Sequence, residues 1–316
     1  MTKEGSSADS SEGGAAEGPA TAGTPPAGAP RPTRTPMYEA IHAARYQRQA
    51  LIKTVQERTG RRLICYVAGS AALVDRDDTV GFVDLLHVVP KVSNLDLLLH
   101  TPGGDIDAAE KLISMVRTRV GTGRLRIIVP DFAKSAGTLM ALGSDAIVMS
   151  DTSELGPIDP QITLDDGHGN LIRHSVQSYL DAYKEHSAAL RENPDDLPAR
   201  IMLSKLDPAT VKLFEAVRER ARTFAENQLK LGMFRPPSAG NFTQIAGELL
   251  DTTRWLSHGQ MIGWQDADQI GLTVEYLDPA DETWQLFWQL YCLQRLATKD
   301  RQKLFESDYA SFLLDS

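Results

Sequence analysis

Between Leu97 and Ile162 the chain reads LLLHTPGGDIDAAEKLISMVRTRVGTGRLRIIVPDFAKSAGTLMALGSDAIVMSDTSELGPIDPQI. Two glycine turns divide it, HTPGGD from His100 to Asp105 and AKSAGT from Ala133 to Thr138. Each lies where an apolar run gives way to helical spacing. Leu95, Leu97, Leu98 and Leu99 precede the first turn, and Ile106, Ala109, Leu112, Ile113, Val116 and Val120 follow it at the period of an amphipathic helix. Leu125, Ile127, Ile128 and Val129 precede the second turn, Pro130 stops that strand, and Ser135 opens the short helical stretch SAGTLMALG. Strand, turn and helix thus occur twice in succession. Such alternation predicts an α/β protein with right-handed crossovers and a largely parallel sheet.

A serine hydroxyl becomes a useful nucleophile only with a base to take its proton and fixed donors to hold the oxyanion that forms. The predicted position of Ser135, at a helix N-terminus, offers orphan backbone N–H groups and the positive end of the helix dipole. A neighbouring glycine turn brings another N–H close, because no Cβ obstructs it. The expected oxyanion donors are therefore the backbone N–H groups of Gly104 and Ala136. The competing reading is that Ser135 merely caps its helix and that Gly103 and Gly104 merely turn the chain.

The two turns stand in order, and SDAIVMSDTSELGPIDPQI follows from Ser144. Through the motifs His100 to Gly104, Val129-Pro130, Ser135 to Thr138, Leu142 to Met149 and Leu155 to Gln161, the chain resembles the serine dehydrogenase proteinase family. That family is a branch of the Clp protease, signal peptide peptidase A and crotonase superfamily. A weaker match, RWLSHGQMIGWQDADQIGL, runs from Arg254 to Leu272, and the stretch between Thr163 and Arg235 matches poorly. The resemblance implies a Clp/crotonase-like spiral of strand-turn-helix units with additional C-terminal helices. It also implies a serine endopeptidase that cleaves peptides or unfolded segments through an acyl-enzyme on Ser135 and works as a homo-oligomer. An extended substrate is expected as a strand beside HTPGGD, touching Gly103 and Asp105, with Leu155 to Pro160, including Gly156 and Pro157, as the opposing wall. Two other readings stand beside this one: a catalytically silent oligomeric scaffold, and a crotonase-like acyl-CoA enzyme, against which the S-A-G-T turn argues.

The base is less direct. Clp proteases place a histidine shortly after the nucleophile, and Leu155 to Gln161 contains none. Signal peptide peptidases use a lysine farther downstream; Lys184, in HSVQSYLDAYKEHSAALRE, lies at a comparable distance and is the candidate base, although Asp181 aligns equally well. Lys134 adjoins Ser135, and neighbours on a helix do not face each other. His100 is expected to hold the first turn by a hydrogen bond. His258, in RWLSHGQMI, matches a family position and is expected to structure a helix start or line the site.

The whole chain sets wider bounds. With 316 residues, 42% hydrophobic and 24% charged, it can bury a sizeable core. Residues 1–36, dominated by Gly, Ala, Ser, Thr and Pro, are expected to be a disordered tail, and residues 37–316 the peptidase domain with a helical C-terminal part. No secretion signal is read in the tail, and no run approaches the roughly 20 apolar residues of a membrane span, so a soluble cytoplasmic protein is expected. Cys65 and Cys292 are too few and too far apart for a disulfide framework or a zinc knuckle, and no histidine pair has helical zinc spacing. Neither metal nor cofactor is expected. A net charge of −9 argues against a nucleic-acid surface, and the cluster Arg218, Arg220 and Arg222 reads as a solvated helix face. Further elements expected are a helix from Tyr38 to Thr59, a hairpin from Ile162 to Ile172, a loop from Asn193 to Pro198, and a last helix from Asp281 to about Lys303 whose aromatics serve the core or an interface.

Overall fold

The computed structural model describes residues 35–165 and 169–316. The chain divides into two units, Met1–Ile41 and His42–Ser316. In the first, the described part carries helix α1 (Pro36–Ile41), and residues 1–34 of the expected tail lie outside the described residues. The second unit opens with α2 (Ala43–Thr59), closed by Gly60 at φ 66°. The single helix expected from Tyr38 is therefore two.

The second unit continues through β1 (Arg62–Ala68), α3 (Asp78–His87), β2 (Leu95–His100), α4 (Ile106–Val120), β3 (Leu125–Ile128), β4 (Phe132–Ala133), α5 (Ala136–Leu142), β5 (Ala146–Met149) and β6 (Glu154–Leu155). Next come the hairpin β7 (Gln161–Asp165) and β8 (Leu171–Ser175), whose turn at 166–168 lies outside the described residues. Helices α6 (Val176–Glu192), α7 (Leu197–Ser204), α8 (Pro208–Leu231), α9 (Phe242–Leu249) and α10 (Trp264–Gln269) follow. Strand β9 (Val274–Tyr276), helix α11 (Glu282–Ala297) and strands β10 (Gln302–Ser307) and β11 (Ser311–Asp315) end the described chain.

The main sheet has the strand order β11-β10-β1-β2-β3-β5-β9. Strands β1, β2, β3, β5 and β9 run parallel, and β10 and β11 add an antiparallel edge. Parallel strands need helices on both faces, so their residues alternate between two cores. Ile64, Tyr66, Leu97, Leu99 and Ile127 enter one, with residues of α3, α4, α5, α8 and α9; Leu63, Cys65, Val67, Leu98 and Ile128 enter the other, with residues of α2 and α11.

A second, short layer lies beyond the C-terminal ends of the parallel strands and places the site. Val74 bridges Gly104, Thr101 bridges Ala133, β4 pairs with β6, and Leu155 bridges Ile262. Strands β1, β2, β3 and β5 thus each pass into a short segment paired with a segment of the next repeat, which is the spiral architecture expected. Two sequence expectations about the later elements fail. The last helix stops at Ala297 and Lys303 lies in β10; buried Lys303 and Glu306 interrupt an apolar pattern that would have marked a strand. Pro198 stands at the start of α7, where its missing N–H costs nothing, instead of in a loop. Of the two roles expected for the aromatics of the last helix, Trp284, Phe287 and Tyr291 of α11 take the core one, packed with α2.

Candidate active site

Ser135 sits between β4 and α5 with φ 51° and ψ −112°, a conformation L-residues rarely adopt. Its hydroxyl makes no cap bond, so the simple N-cap reading does not hold. Holding a non-glycine residue there costs on the order of 1–3 kcal/mol, which the buried surroundings must offset. The wholly buried helix α5 and its bonds to the second layer do so: Thr138 Oγ1 lies 2.8 Å from Ala133 O and accepts the Gly156 N–H at 3.0 Å. Because ψ is turned away from its helical value, the side chain is directed from the helix end into an open cavity of about 1180 Å³.

The first glycine turn packs against this serine. Gly103, at φ 102°, is so close that a Cβ on it would stand 2.8 Å from Ser135 Cβ. Gly104, at φ 152°, lies equally tight against Val74, with which it is held by Val74 N–H to Gly103 O at 2.8 Å and Asp105 N–H to Val74 O at 2.9 Å. Among the described residues, the backbone N–H groups of Gly104 and Ala136 have no hydrogen-bond acceptor. Asp105 lines the cavity and also caps α4, accepting the Ala108 N–H at 2.7 Å. A free hydroxyl beside two unpaired N–H donors is the arrangement acyl transfer requires.

The opposing wall is shifted from its expected position. Gly156 and Pro157 are buried behind it, and Ile158, Pro160 and Gln161 face the cavity instead. The edge of the HTPGGD segment expected to receive substrate is taken by Val74. Arg220, read as part of a solvated face, reaches from α8 to Asp107 at 2.9 Å and to Glu110, and lines the cavity.

The lysines are not placed as bases. Lys184 is exposed on α6 and is not among the residues lining the cavity. Lys134 Nζ is engaged by Glu154 Oε2 at 2.9 Å and by the carbonyl oxygens of Leu155, Gln260 and Gly259 at 3.1, 3.3 and 3.5 Å. It clips the loop between α9 and α10 to the turn that carries Ser135. His100 is buried on the other face of β2, 3.3 Å from Tyr291 Oη, and burial lowers its pKa to about 3. By contrast His258, on the clipped loop, lines the same cavity as Ser135. Its Nδ1 lies 2.8 Å from Asp159 Oδ1, a carboxylate only 4% exposed. Asp159 escaped sequence reasoning, although it lies within the motif LGPIDPQI that was searched for a histidine.

The α/β spiral is Clp/crotonase-like in architecture, with an uncapped serine at the start of α5. A family model described as ClpP-like SDH-type serine proteinase matches residues 41–174. Two uncharacterized proteins of Methanocaldococcus jannaschii are similar. MJ0137 is 37% identical over 202 residues, 63% of this chain and 59% of the relative; MJ1495 is 28% identical over 126 residues, 37% of this chain and 42% of the relative. The chain thus spans less than two thirds of either relative. Among solved structures, an alanine variant of the 1510-N membrane-bound stomatin-specific protease aligns with 69% of this chain and 99% of its own, at 17% identity and a TM-score of 0.30. A lysine-to-alanine variant of the same protease in complex with a substrate peptide aligns with 73% and 99%, at 17% identity and a TM-score of 0.29. Likeness at that level carries no argument about activity. Among the described residues no helix is long and apolar enough to cross a membrane.

Proposed function

We propose that the chain is a serine peptidase that cleaves peptides or unfolded segments through an acyl-enzyme on Ser135. The observation that carries this reading is the strained, uncapped Ser135 facing a cavity beside the unpaired N–H groups of Gly104 and Ala136. Strain of this kind is kept where the geometry is used. In the reaction, Ser135 Oγ bonds to the carbonyl carbon of the scissile peptide, and the two N–H groups hold the oxygen as it becomes negative. Because they are backbone groups fixed by turns, they need no rearrangement at the moment charge develops. The match of residues 41–174 to a ClpP-like serine proteinase family model supports the same class of reaction. On this reading, peptide or unfolded protein is the substrate and a homo-oligomer the working form.

A fluorophosphonate probe tests the proposal. It is expected to modify Ser135 alone among the serines, and Ser135→Ala is expected to lose labelling and peptide cleavage with its melting temperature unchanged within a few degrees. Labelling that survives Ser135→Ala, or a wild type that is never labelled between pH 6 and 10, would overturn the assignment; the second result would favour the silent scaffold.

A further inference from the structure

We propose that Lys303 is a positioning residue for the oxyanion site: through Asp75 it fixes the segment whose pairing with the HTPGGD turn aims the Gly104 N–H. The proposal rests on the peptidase reading above.

The direction of that N–H follows from its neighbours. Val74 N–H donates to Gly103 O at 2.8 Å, and Val74 O accepts the Asp105 N–H at 2.9 Å. Both bonds run between the turn and Val74. The Gly103–Gly104 peptide is trans, and in a trans peptide the N–H points opposite to the C=O. With Gly103 O drawn to Val74, the Gly104 N–H faces away from it. The opposite edge of the same segment is the one that pairs with the residues before Ser135, by Thr101 N–H to Phe132 O at 3.1 Å and Lys134 N–H to Thr101 O at 3.0 Å. A Cβ on Gly103 would stand 2.8 Å from Ser135 Cβ and 3.3 Å from Ala136 N, so this peptide borders both the nucleophile and the second donor. Where Val74 stands therefore sets where one donor points.

Val74 lies in the irregular stretch between β1 and α3, and the residue after it is anchored at every polar atom. Asp75 Oδ2 lies 2.7 Å from Lys303 Nζ, Asp75 Oδ1 accepts the Asp77 N–H at 2.9 Å, and the Asp75 N–H donates to Asp78 Oδ2 at 3.0 Å. Asp78, 1% exposed, also takes Lys303 Nζ at 2.9 Å and the Tyr66 hydroxyl at 3.0 Å. Lys303 is 2% exposed and stands opposite Ala68 in the sheet, on a strand outside the parallel repeats and outside residues 41–174. Apolar residues would fill such a site at least as stably, because desolvating an ammonium offsets most of what its ion pairs contribute. What the ammonium supplies is direction: it ties the stretch that carries Val74 to the rigid sheet. Oxyanion donors act as charge develops, so a loosened donor slows the reaction and leaves ground-state binding alone.

The test measures fluorophosphonate labelling of Ser135 in the full chain, with the maximal rate, kinact, separated from the half-saturating probe concentration, KI. Asp75 has a half-exposed side chain, and Asp75→Ala leaves Lys303 paired with Asp78, so the fold is expected to persist. Asp75→Ala is expected to lower kinact about tenfold or more with KI within about twofold of wild type. Lys303→Met combined with Asp78→Asn, which removes the ammonium together with the buried charge it would orphan, is expected to lose a comparable factor. Asp75→Asn keeps an oxygen for Lys303 and for the Asp77 N–H, and is expected to retain most of the wild-type rate. Wild-type kinact in Asp75→Ala or in the double variant, a loss confined to KI, or a loss in Asp75→Asn as large as in Asp75→Ala overturns the role of Lys303 alone. Should the double variant not fold, Asp75→Ala and Asp75→Asn decide the matter. Failure of the wild type to label at Ser135 overturns the peptidase reading with it.

Discussion

Gly60 and Gly104 both adopt positive φ, yet only one is pressed against other backbone. A Cβ on Gly60 would meet nothing within 4 Å, whereas one on Gly104 would stand 2.3 Å from Val74 O and 2.5 Å from Val74 N. Gly60→Ala is therefore expected to cost about 1 kcal/mol of folding stability, from backbone strain alone, and to leave probe labelling of Ser135 unchanged. Gly104→Ala must push the turn away from Val74 and displace the Gly104 N–H. It is expected to lower labelling at least tenfold. Chemical denaturation and probe kinetics on the pair separate the two effects; equal labelling of both variants would remove Gly104 from the oxyanion site. Gly104 was legible in the sequence because the tight turn between a strand and a helix demands glycine there. The pairing of His258 with Asp159 was not legible, because the two are adjacent only once the spiral is closed.

At the scale of elements, strands β1, β2, β3 and β5 were readable because burial on both faces makes them nearly continuous apolar runs. Strand β10 was not, since Lys303 is buried against Asp75 and Asp78, and Glu306 against Arg48. Charge that is paired inside a fold looks in sequence like charge at the surface. The loop between α9 and α10 presents a related case. It holds the exposed Leu256 and Met261, and sequence alone shows nothing to order it, yet the Lys134 ammonium draws together Glu154 and three carbonyl oxygens around it. Lys134→Met leaves those oxygens without their cation and is expected to accelerate amide exchange over residues 257–262 by about tenfold, that is by about 1.4 kcal/mol of local stability. Hydrogen-exchange mass spectrometry measures this directly. Exchange unchanged in that loop would show that the bridge to Leu155 suffices to order it.

At the scale of the whole molecule, burial of His100 links folding to acidity. Its ordinary pKa is 6.5, and in the folded protein burial, aided by the nearby Arg295 charge, lowers it to about 3. Between those values the unfolded chain takes up a proton that the folded chain refuses. The neutral imidazole's contribution is thus complete above about pH 6.5 and is lost as pH falls toward 3, several kcal/mol in all by order of magnitude. Urea unfolding at pH 7, 5.5 and 4.5 is expected to show this decline, and the non-titrating His100→Asn to show a shallower one; parallel curves for the two proteins would refute it. The short second layer bears on when the molecule becomes active. Its pairings run Val74 to Gly104, Thr101 to Ala133, β4 to β6, and last Leu155 to Ile262, which closes by far the longest stretch of chain and so pays the largest loop entropy. Ser135 and the Gly103–Gly104 turn are set by the early, local closures, while the loop that carries His258 joins the cavity wall with the final one. On the proposed reading, a half-folded chain accordingly holds its serine in an unfinished cavity, and completion of folding is itself the safety catch that keeps a nascent peptidase from cutting its neighbours.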